Sequence, residues 1–254
     1  MFDCIKSQRM RKIYKAVLIF CLVFLSSDLR AQLPDIWSAL NEAKIGISPH
    51  QRKIQPKKYK TFELDLKYLL NELNFEGSNK SEEKQPSVLI SFPDERGALI
   101  VFKITEAPVM HPLLAEKYPK NRSFKGFSIN DPSKKIRFSV TILGLSAIIM
   151  DAETGHTLIE PLASGRNYYK VYAQNALQGL NEMECFTEGA PATQISDKNT
   201  FKLTADIQLK TYRLALSANG EYSQFQLNDQ NVTGGNEADK KNIIMGTLTA
   251  AVTR

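Results

Sequence analysis

The chain is poor in the residues that build disulfides, metal clusters and membrane spans. Three of its 254 residues are cysteine, three are histidine and one is tryptophan. Cys4 and Cys21 fall within the first 31 residues, so beyond them Cys185 stands alone and no disulfide framework can staple the fold. The core must therefore be hydrophobic. An apolar content of 43% over roughly 220 residues is enough for one large domain or two small ones. The longest apolar run, Ala16 to Leu25, is about half the roughly twenty residues a bilayer requires, so no stable membrane span is expected.

Catalytic signatures are missing as well. His50, His111 and His156 are far apart, and none sits in an H-E-x-x-H or C-x-x-C spacing. His111, between Met110 and Pro112, and His156, beside Gly155, read as turn positions. No G-x-S-x-G elbow, phosphate-cradling loop or dinucleotide fingerprint occurs. The acidic pairs Glu82-Glu83 and Asp94-Glu95 fall in loops and read as solubilising charges. No catalytic and no cofactor-binding residue is assigned.

The formal charge of +6 is concentrated at the amino end. Lys6, Arg9, Arg11, Lys12, Lys15 and Arg30 face only Asp3 and Asp28 there, which leaves +2 for the rest. The remaining basic clusters, Arg52-Lys53 with Lys57-Lys58 and Lys134-Lys135-Arg137, have no aromatic interleaving. They read as solvated surface, and no nucleic-acid partner is expected.

Basic residues from Met10, the apolar run and then Ser26 to Ala31 have the three-part order of a secretory signal with cleavage after Ala31. Acylation of Cys21 is disfavoured by the bulky Phe20 before it. The chain is thus expected to be exported, to the cell surface or beyond. Three sequons, at Asn79, Asn121 and Asn231, are short enough to arise by chance.

From Leu33 a short, helical piece is expected to about Ile45. Thr61 to Asp65 predicts a strand, and Leu66, Leu69, Leu70 and Leu73 repeat at helical spacing. Between Pro86 and Leu162 short alternating segments are punctuated by turns at Pro93 to Gly97, Asn130 to Ser133 and Glu153 to Gly155, and a helical turn fits Leu113 to Tyr118. That pattern predicts an antiparallel sheet or sandwich rather than βαβ units, with Tyr168 to Tyr172 as a further strand. The polar stretch after Ala190 reads as a linker. Leu209 to Ser217 alternates as a strand, and Ile243, Ile244, Thr247, Leu248, Ala251 and Val252 mark an amphipathic helix over 237–254. No stop signal and no covering element follows, so the chain is expected to be truncated within that helix.

Several ordered stretches resemble the secreted bacterial reprolysin-like (metzincin) zinc metalloproteases. Phe92-Pro93-Asp94 through Gly97 leading to Phe102-Lys103-Ile104-Thr105-Glu106-Ala107-Pro108-Val109-Met110 is similar to their propeptides. So are Leu114-Ala115-Glu116-Lys117-Tyr118-Pro119 running to Ser123-Phe124-Lys125-Gly126, and Gly144 to Ile149 ahead of Ile159-Glu160-Pro161 and Tyr168-Tyr169. Thr211 to Tyr222 looks like the first strand of the catalytic domain, and the helix after it like that domain's first helix. The resemblance implies an α+β chain: signal peptide 1–31, antiparallel β-rich propeptide domain 32–190, linker 191–207, and 208–254 as the truncated first strand and helix of an α/β metzincin catalytic domain. It implies a zymogen whose propeptide assists folding and keeps its own catalytic domain latent, with protein or peptide substrates for the full-length parent. The family's zinc would be held beyond Arg254, so the piece in hand should be inactive. Cys185 could serve as a thiolate ligand on that zinc in the latent state; equally it is a small packed residue, with no basic neighbour in Glu184-Cys185-Phe186. The alternative is a free-standing exported β-rich domain that binds or adheres without catalysis.

Overall fold

A computed structural model describes residues 34–41, 56–73, 87–162, 167–177 and 214–254. The signal segment, His50, Asn79, Glu82-Glu83, Cys185, the linker 191–207 and the beginning of the strand expected from Leu209 lie outside these residues. Residues Asp35–Arg254 belong to one compact unit.

Nine strands form one sheet: β1 Trp37–Leu40, β2 Lys60–Leu64, β3 Ser87–Pro93, β4 Leu99–Glu106, β5 Arg122–Ser128, β6 Lys135–Thr141, β7 Gly144–Asp151, β8 Gly155–Pro161 and β9 Tyr168–Ala173. Their order is β1-β2-β9-β8-β7-β6-β5-β4-β3, every neighbouring pair is antiparallel, and the sheet forms a half-barrel. The antiparallel expectation for 86–162 and for Tyr168–Tyr172 is met strand by strand, because alternating apolar positions separated by turn residues leave hairpins as the shortest connections. Among the described residues four α-helices accompany the sheet: α1 Leu66–Leu73, α2 Pro112–Lys117, α3 Gly220–Asp229 and α4 Glu237–Thr253.

The alternation places one side chain in two on the inner face. Phe92, Phe102, Phe124 and Phe138 are fully buried there and touch in sequence. Phe124 stacks on its cross-strand partner Phe138 at 4.8 Å, Phe138 meets Phe92 at 5.1 Å, and Phe92 meets Phe102 at 6.1 Å. Helix α1 buries Leu69 and Leu73 in the same core, as its leucine spacing predicts.

Three expectations are corrected. Trp37–Leu40 is a strand, not part of a helix. It pairs with β2 in the register Trp37↔Leu64, and its indole enters the core among Phe62, Phe92 and Tyr169. Leu214–Ser217, the described part of the strand expected from Leu209, has no strand structure, and Leu214 and Leu216 are exposed; it pairs with no strand among the described residues. Asp94 and Glu95 do more than solubilise. The Asp94 carboxylate accepts from the backbone N–H groups of Arg96 (2.9 Å) and Ala98 (2.7 Å), and Glu95 accepts from the Thr157 hydroxyl (2.9 Å). The turn between β3 and β4 is therefore closed by its own acid.

Candidate functional site

The outer face of the sheet carries a row of small polar side chains. Ser123 lies opposite Ser139, and Ser139 opposite Ser146, on β5, β6 and β7. On β8 and β9 the outward pair is charged: Glu160 lies opposite Lys170. All but the half-buried Ser146 are buried, which an outward face allows only if something lies over it.

That cover includes α4, which packs on β6 and, less extensively, on β5 and β7. Asn236 caps its first turn by accepting from the Asp239 N–H at 2.8 Å, with Glu237 and Asp239 suiting the positive end of the helix. The helix is where its periodicity predicts, but its orientation is corrected. The buried residues are Gly246, Thr249, Ala250 and Thr253, while Ala251 and Val252 are exposed and Ile243, Ile244, Thr247 and Leu248 only half-buried. Small residues let the helix backbone come close to a sheet face made of serine and threonine; a Cβ at Gly246 would lie 3.4 Å from Thr141 Oγ1. The expectation that no element covers this helix is thus corrected for its small-residue edge.

Helix α3 sits beside α4, joined to it by a 3.3 Å hydrogen bond between the hydroxyls of Tyr222 and Thr247. Between the two helices and the outer face lies a cleft of about 470 Å³ lined by Leu143, Tyr172, Tyr222, Phe225, Asp229 and Arg254, among others. Its floor holds the charged cluster. Glu160 Oε2 accepts from the Tyr172 hydroxyl at 2.9 Å and lies 3.8 Å from Lys170 Nζ, while Arg254 Nη1 pairs with Glu160 Oε1. Lys170 also lies 5.7 Å from the centre of the Tyr172 ring. Glu160, Lys170 and Tyr172 are 6%, 4% and 4% exposed. Removing water from charges is unfavourable, so a cluster buried this deeply is held by its mutual pairing.

The cluster was not singled out from the sequence. Its signal is a charge of each sign inside two otherwise apolar or aromatic strands, Ile159-Glu160-Pro161 and Tyr169-Lys170-Val171, at positions the alternation turns outward. A second cleft, about 340 Å³, lies near the other end of α4 and is lined by Tyr118, Asn121, Asp239 and Ile243 among others. Asn121 is 6% exposed there, which closes its sequon to a glycan; Asn231 is exposed in a left-handed turn at φ 56°.

The histidines are not brought together. His111 caps α2, its Nδ1 accepting from the Leu113 N–H at 3.4 Å, and His156 is exposed at the start of β8. Among the described residues no group of three or more histidine, cysteine or acidic side chains could hold a metal ion, so the zinc implied by the resemblance finds no fitting ligand set there. Among the same residues no helix is long and apolar enough to cross a membrane. No family model matches the chain, and no curated protein and no solved structure matches it.

Proposed function

We propose that the chain is the amino-terminal part of an exported zinc endopeptidase zymogen, in which the β-rich domain assists folding of the peptidase and keeps it latent. The observation that supports this reading is the seating of α4 on the outer face of β5–β7. In the resemblance, α4 is the first helix of the catalytic domain and the sheet is the propeptide. A prodomain that templates its enzyme must offer a surface fitted to an element of it, and the serine row with the Glu160 cluster is such a surface. Cys185 is a candidate thiolate ligand for the parent's zinc within the same reading.

The alternative, an exported β-rich binding domain without catalysis, draws on the cleft between α3, α4 and the sheet, where Phe225 is half exposed beside charged groups. Reading the coding frame past Arg254 separates the two. A downstream H-E-x-x-H-x-x-G-x-x-H supports the zymogen, and a stop codon directly after Arg254 overturns it.

A further inference from the structure

The contact between α4 and the sheet is unusual in what it lacks. Its fully buried helix residues are glycine, alanine and two threonines, while Ile243, Ile244, Met245 and Leu248 are only half-buried, so the hydrophobic contribution falls short of what a fully buried aliphatic edge would give. The threonine hydroxyls reach across only weakly, Thr249 Oγ1 lying 3.9 Å from the Met110 sulfur, a poor acceptor. Thr249 Oγ1 donates to the Met245 carbonyl and Thr253 Oγ1 to the Thr249 carbonyl, both at 2.7 Å and both within the helix. On the sheet side Ser139 is fully buried on the outward side of β6, the strand α4 packs on most, and its hydroxyl has no hydrogen-bond partner. A buried hydroxyl left unpaired weakens the closed arrangement relative to one in which water reaches it.

Against this weak seam stands one strong attachment. The carboxylate of Glu160 is fixed from within the sheet by the Tyr172 hydroxyl and Lys170, both on β9. Arg254, the residue that follows α4, brings its guanidinium to the other carboxylate oxygen. The sheet supplies the carboxylate with its Tyr172 and Lys170 partners, and the end of the helix supplies the guanidinium. A guanidinium suits such a site because its donors form a fixed planar fork.

We propose that the outer face of β5–β9 is a receptor for α4 that recognises two features, a small-residue edge laid on the serine row and a guanidinium seated in the Glu160 socket. Because the seam itself is weak, the socket decides whether the helix is docked, and α4 lifts off without unfolding the sheet. The role of this release in activating a peptidase rests on the function proposed above; the recognition itself does not.

Hydrogen exchange of the whole chain, followed by mass spectrometry, tests the proposal. Arg254→Ala leaves Glu160, Lys170 and Tyr172 in place, and it should speed exchange across 237–253 on the order of tenfold while β3 to β8 exchange as before. Glu160→Gln should also speed exchange in α4, with added loosening of β8 and β9 because buried Lys170 loses its counter-charge, and in α4 the double variant should go little further than either alone, since both remove one interaction. Arg254→Lys, which keeps the charge and loses the fork, should fall between. Unchanged exchange in α4 for Arg254→Ala would overturn the proposal, as would equal loosening of helix and sheet, which would make α4 an integral part of the core. These results do not depend on peptidase activity. A parent without zinc peptidase activity defeats the latency reading and leaves the receptor standing, and an unresponsive α4 does the reverse.

Discussion

The indole N–H of Trp37 donates to the backbone carbonyl of Ser91 at 2.8 Å, joining the first strand in the sheet order to the last across 54 residues of chain. An open sheet leaves two edges with unpaired backbone groups. Here the only tryptophan brings those edges together, and Lys60 adds a second link by donating to the Arg96 carbonyl. Trp37→Phe should lower stability by about 2–4 kcal/mol, from the lost hydrogen bond and the lost volume. Urea unfolding followed by far-ultraviolet circular dichroism measures this; an unchanged midpoint would mean that the edges are not joined through this residue.

Two glycines are expected to respond in opposite ways. A Cβ at Gly126 would lie 2.6 Å from the Lys103 carbonyl oxygen and 2.6 Å from Ile104 Cδ1. The carbonyl belongs to the sheet and cannot yield, so Gly126→Ala should destabilise by about 2 kcal/mol or more. At Gly246 the nearest atom would be 3.4 Å away, and alanine is the better helix former by about 0.5–1 kcal/mol. Gly246→Ala should therefore be neutral or stabilising. Thermal unfolding of both variants checks the contrast, and a Gly246→Ala loss equal to that of Gly126→Ala would contradict the helix seating.

The contrast also shows where the sequence was readable. Strands β3 to β9 and helix α1 announce themselves through period-two and helical spacing, because each meets the core along one face. Trp37–Leu40 carries no alternation; its strand state comes from pairing with β2 and from the indole's place in the core. Helix α3 buries only Leu227, so no apolar face marks it; its signal was Asn219, which accepts from the Tyr222 N–H at 2.8 Å as an N-cap. For α4 the spacing identified the helix and misidentified its buried edge, since hydrophobicity ranks Ile244 and Leu248 above Gly246 and Thr253. The charged cluster was hidden because it joins Glu160 and Lys170 to Arg254, 94 residues from Glu160.

Asp151 ties the β7–β8 turn to the β6 side of the sheet. The Thr154 hydroxyl, the Glu153 N–H and the Lys134 ammonium all donate to its carboxylate and hold its pKa far below the usual carboxylate range. A depressed folded-state pKa stabilises the fold above the unfolded value of about 3.9, and that stabilisation is lost as pH falls through the folded value. Asp151→Asn should thus unfold at lower urea concentration than the wild type near neutral pH, with the gap narrowing as pH drops below about 3.9. A gap independent of pH would show that the charge of Asp151 contributes nothing.

Tyr169 gives the alkaline counterpart. Burial raises its pKa to about 12, although the Leu145 N–H donated to its hydroxyl oxygen at 3.2 Å acts the other way. A raised folded-state pKa leaves stability intact below the unfolded value of about 10 and removes it as pH climbs from there. Phenolate absorbance should therefore contain a late-ionising component, and Tyr169→Phe should reduce it while costing about 1–3 kcal/mol for the Leu145 N–H left unpaired. If all tyrosines titrate together while the fold is intact, the buried position is wrong.

In the proposed function, the β-rich domain restrains a peptidase whose amino-terminal part includes α4. The most direct measurement of this restraint is peptide hydrolysis by the purified full-length parent, before and after proteolytic removal of the β-rich domain, with and without a zinc chelator. The intact protein should be silent, and chelator-sensitive cleavage should appear once the domain is gone. Equal activity in the intact protein, or none in either form, would contradict the restraint.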